Sequence, residues 1–268
     1  MPRSVAPHPE ERSQRARFEG RAAPLQFLTT PALWVAILFV ALLVTMPDTG
    51  PIFHWAFPQV EPPVYQRGTF VALFLSHAGI VGVASLAATF TGIVAAIFVT
   101  RPAGRDFRSI IDALATIGQT FPPAAVLALA VPAIGFGPLP TVVALYLYGL
   151  LPIVQNAVAG IETVPPAVRD AAAGMGMSPL QILARVELPL AAPVILAGIR
   201  VAVTIGIGTA TIGSTVGALT LGTPIFDGIG GNKIPLVLQG AALVALFAIV
   251  TDLMFARLED RLRPSSAR

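Results

Sequence analysis

Few residues in this chain are of a type that does covalent chemistry, and their spacing keeps them apart. There is no cysteine, which removes thiol nucleophiles, disulfides and thiolate ligands and leaves the redox compartment undecided. The histidines are His8, His54 and His77. They show nothing of the His-Glu-x-x-His clustering that puts two imidazoles and a general base on one helix face. His54, and His77 at the head of an apolar run, read as lone interfacial side chains. ATP hydrolysis needs a Gly-x4-Gly-Lys-Ser/Thr loop, whose lysine reaches the phosphates just ahead of a metal-binding hydroxyl. The only lysine is Lys233, and Ile234 follows it. No metal or cofactor is expected on this polypeptide, and any ATP-driven work must be done by another chain.

What the chain offers instead is polar chemistry packed into one interval. Between Ile161 and Leu190 fall Pro165, Pro166, Arg169, Asp170, Pro179, Arg185, Glu187 and Pro189, a density of charge and proline that a bilayer core rejects. The interval therefore lies in water between two apolar segments. Pro165 and Pro166 suit the first turn of a helix, where a missing N–H costs little, and the alanine-rich run after them has high helix propensity. Gly174 and Gly176 supply the freedom to stop it. Ser178-Pro179-Leu180-Gln181 then restarts the chain with the pattern of a capping box, and the second helix is expected to end near Pro189. On the first helix Ala167, Ala171, Ala172 and Met175 share a face, a shallow ridge that another protein can clasp. A short helical hairpin of this kind is a docking element.

The elements that must carry this hairpin are apolar. Hydrophobic residues make up 55% of the 268 residues, charged ones 12%, and the mean hydropathy is +0.78. A soluble domain carries about 25% charged residues, so the fold class is all-α integral membrane protein. The net charge of +3 is no nucleic-acid footprint, because the basic residues are distributed by topology. Residues 1–24 read as a disordered tail. A secretory signal is the competing reading, disfavoured because the apolar run from Ala32 to Met46 ends in Pro47-Asp48 without a cleavage pattern. The membrane domain is expected over 25–256, with the hairpin loop at 161–190, and a second tail at 257–268.

Six spans are predicted. The first begins near Leu25, the second runs from Ala78 to Val99, and the third from Ile110 to Ala133 with a kink or break at Phe121-Pro122-Pro123. The fourth covers Leu139 to Gly160, the fifth Ala191 to Val216 and the sixth Pro235 to Phe255. Residues 47–68 are expected as an external loop, whose Trp55, Phe57 and Tyr65 either anchor at the interface or cage a quaternary ammonium group. On this topology 14 of the 17 Lys and Arg residues fall on the hairpin side, two on the other side and one in a span. That bias places both termini and the hairpin in the cytoplasm.

Within span five, Gly198, Ala202, Gly206, Ala210 and Ser214 repeat every four residues, a stripe for close helix approach. It serves either packing within the chain or a pathway or dimer contact. Thr209, Thr211, Ser214 and Thr215 are candidates to line a route. Arg200 is the charge inside a span; it either bonds Asp112, Asp252 or free carbonyls as a structural pair, or forms an inner gate.

The spacing Asp170-Ala171-Ala172, three residues, Gly176, nine residues, Val186, one residue, Leu188-Pro189 resembles the EAA loop of ABC importer permeases, with Asp170 in place of Glu and Val186 in place of Ile. Flanking Glu187-Leu-Pro-Leu, Ala197-Gly-Ile-Arg200 and Gly208-Thr-Ala-Thr-Ile212 are similar to the permeases that import glycine betaine, carnitine, choline and related osmoprotectants. Gly217-Ala-Leu-Thr-Leu-Gly222 departs from the Gly-Ala-Gly-Gly-Leu-Gly frequent there. The resemblance runs from about Ser76 to Gly230. It implies a type I importer permease fold in a bacterial inner membrane, with the hairpin as the coupling element. The implied partners are an ATP-binding subunit, an extracytoplasmic substrate-binding protein and a second permease copy or paralogue. Two rivals remain: a permease for another small solute such as an amino acid or sulfonate, and an ATP-independent secondary transporter. The latter calls for inverted repeats and several mid-span charges, which the sequence lacks.

Overall fold

A computed structural model of the chain describes residues 31–262, and every regular element among them is helical. The expected N-terminal tail, the start of the first span near Leu25 and residues 263–268 lie outside the described residues. The first span comprises α1 (Pro31–Thr45), a 3-10 turn (Met46–Thr49) and α2 (Gly50–Ala56). Pro47 and Pro51 fall where a new helical turn starts and no N–H is needed. The chain therefore stays helical through a stretch expected as loop, and the connection shrinks to the residues before α3 (Phe70–Val99). That helix begins two turns before the expected Ala78 because Thr69 caps it, its hydroxyl accepting from the Ala72 N–H. At about 1.5 Å per residue it is long enough to cross a bilayer core.

The third expected span is two helices, α4 (Arg108–Thr120) and α5 (Pro123–Ile134), meeting at 94°. Phe121 is extended, as the residue before a proline prefers, and Pro123 opens the next helix. The freed polar groups find local partners: the Tyr148 hydroxyl donates to the Phe121 carbonyl and Gln119 Nε2 donates to the Tyr148 carbonyl at 2.8 Å. α6 (Pro138–Glu162) follows, then α7 (Pro166–Gly174) and α8 (Pro179–Ile182). A π turn (Leu183–Glu187) joins α8 to α9 (Leu188–Ala210), which closes in a 3-10 turn at Thr211–Val216. Short α10 (Thr223–Gly230) precedes α11 (Ile234–Leu262), which continues past the expected end at Phe255. The described residues hold five long apolar helices of spanning length, or six if the bent α4–α5 pair counts as one.

The centre is a three-helix layer of α3, α6 and α9. Ala96, Val99, Val154, Ala157, Val158, Ile161, Ala191 and Ile195 pack together at the hairpin end; Ile80, Ala84, Leu145, Ile207 and Ala210 do so at the other. α11 and α1 close one flank through Phe39, Leu43, Phe70, Leu73 and Leu243. The small-residue stripe of α9 faces inward: Gly198, Ala202, Gly206 and Ala210 are all buried. A Cβ on Gly198 would lie 2.6 Å from Asn156 Cβ and 2.7 Å from the Pro152 carbonyl oxygen. Of the two uses expected for the stripe, packing within the chain is the one observed. Gly198→Leu should therefore pry α9 from α6, at a cost of about 1–3 kcal/mol or more. A drop in melting temperature of the purified protein by several degrees checks this, and an unchanged value would contradict it.

Candidate functional site

The hairpin follows from its local sequence. Pro165 is extended and Pro166 opens α7. Gly176 turns the chain at φ +82°, a conformation natural to glycine. The Ser178 hydroxyl accepts from the Gln181 N–H at 3.4 Å, while Gln181 Oε1 accepts from the Ser178 N–H at 2.8 Å, the reciprocal box the sequence predicts. Asp170, Ala171 and Gly176 are exposed, and Met175, at 72% exposure, tops the outer face. Ala172 is not part of this face; it is buried against the scaffold.

The second helix does not end near Pro189. From Pro179 the chain is helical without interruption to Val216, so the outer arm of the hairpin and span five are one rod. Pro189 lies at the start of α9, where the π turn just before it absorbs the missing N–H. Val186 and Leu188 are half-buried and Pro189 is exposed. The hairpin is thus mechanically continuous with a membrane helix.

Glu187 is the residue that sequence reasoning missed. It is 2% exposed, in the π turn, and two guanidiniums converge on it: Arg101, from the end of α3, bonds one oxygen and Arg169, from α7, lies 3.6 Å from the other. Arg169 also donates to the carbonyls of Val164 at 2.8 Å and Ile161 at 3.4 Å, closing the C-terminus of α6. Arg108 forks onto Glu162. The hairpin is therefore tied to α3 through Glu187 and to α6 through Arg169, while a separate pair joins α4 to α6. A glutamate in the otherwise apolar Val186-Glu-Leu-Pro run was the available signal.

Arg200 pairs as one of the alternatives predicts. It donates in a fork to Asp252 at 2.6 and 2.7 Å, and its Nη1 reaches Glu259 at 3.4 Å. Asp112, the other expected partner, lies instead 3.9 Å from Arg108, one helical turn away. Arg200→Asp should strip the protein from the membrane fraction, and adding Asp252→Arg should restore it where Asp112→Arg does not. Quantitative immunoblotting decides, and rescue by Asp112→Arg would exclude the observed pairing.

At the far end of α9 the hydroxyl candidates divide. Ser214 Oγ lies 2.8 Å from Thr220 Oγ1 and 3.2 Å from Thr223 Oγ1, inside a network that shapes the turn before α10. Thr211 and Thr215 donate to carbonyls of their own turn, Gly208 and Ile212, and Thr209 is half-buried. His77 is no interfacial residue. It is fully buried, because its helix starts earlier than expected; Nδ1 accepts from the Leu221 N–H at 3.3 Å and Nε2 contacts the Ile207 carbonyl at 3.0 Å. His54 lies 3.2 Å from Glu61. Among the expected loop aromatics Trp55 is 84% exposed while Tyr65 is buried, so the two do not close a cage. Burial, with the nearby Asp227 carboxylate adding, raises the Tyr65 pKa from its usual value. No group of three or more His, Cys, Asp or Glu among the described residues is placed to hold a metal ion.

Residues 88–264 match the family model for the binding-protein-dependent transport system inner membrane component. The osmoprotectant import permease protein OsmY of Salmonella typhimurium is 45% identical over 177 residues, covering 66% of this chain and 75% of that protein. OsmW of the same organism is 35% identical over 206 residues, 75% of this chain and 95% of that protein. The carnitine transport permease protein OpuCB of Listeria monocytogenes is 37% identical over 188 residues, 69% and 85%. An inward-facing structure of the MetNI methionine ABC transporter superposes with a TM-score of 0.65 at 19% identity, over 72% of this chain and 96% of that one. An amino acid ABC transporter solved with histidines gives 0.59 at 16%, over 82% and 98%. These two show a shared fold.

Proposed function

This chain belongs to the binding-protein-dependent transport system inner membrane components, and from that premise we propose that it is the permease subunit of an ABC importer for a small osmoprotectant. The solute is glycine betaine, choline, carnitine or a related quaternary amine, in keeping with relatives named as osmoprotectant, carnitine and choline permeases. The chain is non-catalytic and holds no cofactor; ATP is bound and hydrolysed on a separate subunit that grips the hairpin from Asp170 to Pro189. An extracytoplasmic binding protein delivers the solute, and a second permease copy or paralogue completes the route. The protein lies in the bacterial inner membrane with both termini and the hairpin in the cytoplasm, a reading supported by its basic residues.

The observation that carries the proposal is the unbroken helix from Pro179 to Val216. A helix transmits displacement along its axis, so closure of the ATP-binding subunits around α7 and α8 would rock α9 directly, with the ionic cluster at Glu187 carrying α3 and α6 along. Arg200, Thr209, Ser214 and Thr215 remain the candidates for the route. Reconstitution with the ATP-binding subunit and the binding protein tests the whole reading: glycine betaine, choline or carnitine should accumulate only with ATP. Uptake of an amino acid or sulfonate instead would overturn the solute class, and uptake without the ATP-binding subunit would overturn the importer class.

A further inference from the structure

Arg200, Asp252 and Glu259 line a half-open cavity of about 370 Å³ whose other walls include Val201, Thr204 and Ile205. Its charges do not balance. Asp252 takes both arms of the guanidinium fork, whereas Glu259 receives only the 3.4 Å contact on Oε2. Its other oxygen, Oε1, is buried with no hydrogen-bond partner among the described residues, on a side chain only 10% exposed. The Thr204 hydroxyl is buried and unpartnered as well. Among the described residues that line it, one guanidinium against two carboxylates leaves a formal surplus of one negative charge. Leaving a buried carboxylate oxygen without a donor or counter-charge is costly, and charges within a span face a cavity rather than lipid. The cavity is therefore complementary to something that brings positive charge.

The walls narrow its chemistry. A hard cation such as Ca2+ or Mg2+ takes about six or more oxygen ligands, and the described residues provide no group of three or more His, Cys, Asp or Glu for any metal ion. Aliphatic walls at Val201 and Ile205 beside a carboxylate oxygen suit a cation with an apolar surface and no N–H to satisfy, which describes a quaternary ammonium group. Arg200 Nη1, held by the longest of its three contacts, can turn to a carboxylate on the same molecule, and the Thr204 hydroxyl is free to donate or accept. Resting on the osmoprotectant reading above, we propose that this cavity is a holding site on the route. It takes the solute's quaternary ammonium at Glu259 and its carboxylate or hydroxyl at Arg200 and Thr204. A weak site of this kind suits conduction, which needs entry without trapping.

The absence of native cysteine makes the test clean. Thr204→Cys is placed in the full complex, with cysteine-free ATP-binding subunit and binding protein, and its labelling by N-ethylmaleimide is timed. In a complex that transports glycine betaine or choline, the transported solute should slow labelling about tenfold relative to sucrose at equal osmolarity, a shift of about 1.4 kcal/mol in occupancy. Glu259→Gln should remove that protection, read as the ratio of the rates with solute and with sucrose in the same variant. Val201→Cys, on the same wall, serves if Thr204→Cys does not assemble. Labelling indifferent to a transported solute overturns the site, as does protection that survives Glu259→Gln. A complex that transports neither solute but hydrolyses ATP in response to another overturns the osmoprotectant reading itself, a separate failure.

Discussion

Gly176→Val should cut solute uptake tenfold to hundredfold while leaving the chain in the membrane at normal levels. There is open space around this glycine, so the effect is one of backbone alone. At φ +82° a β-branched residue is strained by about 1–3 kcal/mol, which corresponds to roughly that range in the population of the correct turn. α7 has no reserve against such strain. It is nine residues long, too short to persist alone, and it is held by the burial of Ala172, by the Met177 N–H on the Ala172 carbonyl at 3.2 Å and by the Gly176 N–H on the Ala173 carbonyl at 2.9 Å. Releasing the turn lets the elbow drift from the position a partner must grip, yet touches no spanning helix. Gly174→Ala is the control: that position is helical and open, so uptake should be unchanged. Radiolabelled uptake set against membrane abundance separates the two, and equal transport by Gly176→Val and the wild type would count against a docking role.

Glu187→Leu should be the most damaging single change in the ionic cluster. It leaves Arg101 and Arg169 facing each other with no carboxylate between them. Breaking a buried pair costs about 3–5 kcal/mol. Here the loss should be near the lower end, because both guanidiniums are about one-third open to water. The expected result is a lower melting temperature and, in the surviving complex, ATP hydrolysis that no longer drives uptake. Glu187→Gln, which can still accept, should fall between. Exchanging Glu187 with Arg101 should rescue only in part, since the new arginine would confront Arg169. A Glu187→Leu protein with wild-type uptake per ATP would show that the cluster transmits nothing.

Much of this architecture is legible in the sequence because its signals are local. The Ser178-Gln181 box, the stop at Gly176 and the break at Phe121-Pro122-Pro123 each depend on a few adjacent residues, and the structure has all three. The apolar runs likewise mark the spans. The errors came where a local rule met a tertiary one. Pro189 reads as a helix end, but a π turn that ends two residues earlier absorbs it and the helix runs on. Pro47 and Pro51 read as loop yet begin new turns of the same span. His77 looks interfacial until Thr69, a cap eight residues upstream, moves the helix start and buries it. The pairings at Glu187 and Glu259 join residues far apart in the chain, so no spacing announces them; at Glu187 only the oddity of a carboxylate in an apolar run does, and at Glu259, set among Arg257, Asp260 and Arg261, nothing does. Asp252 was within reach because few charges lie at membrane depth to pair with Arg200.

The central claim is that the Asp170 hairpin is a cytoplasmic elbow held by an ATP-binding subunit on another polypeptide. Because the chain has no cysteine, Asp170→Cys provides a single thiol there, and a membrane-impermeant maleimide reports its side. Right-side-out vesicles should label only after they are opened, and adding the ATP-binding subunit should then block the reaction. Labelling of intact right-side-out vesicles, or labelling that the ATP-binding subunit leaves untouched, would contradict the account.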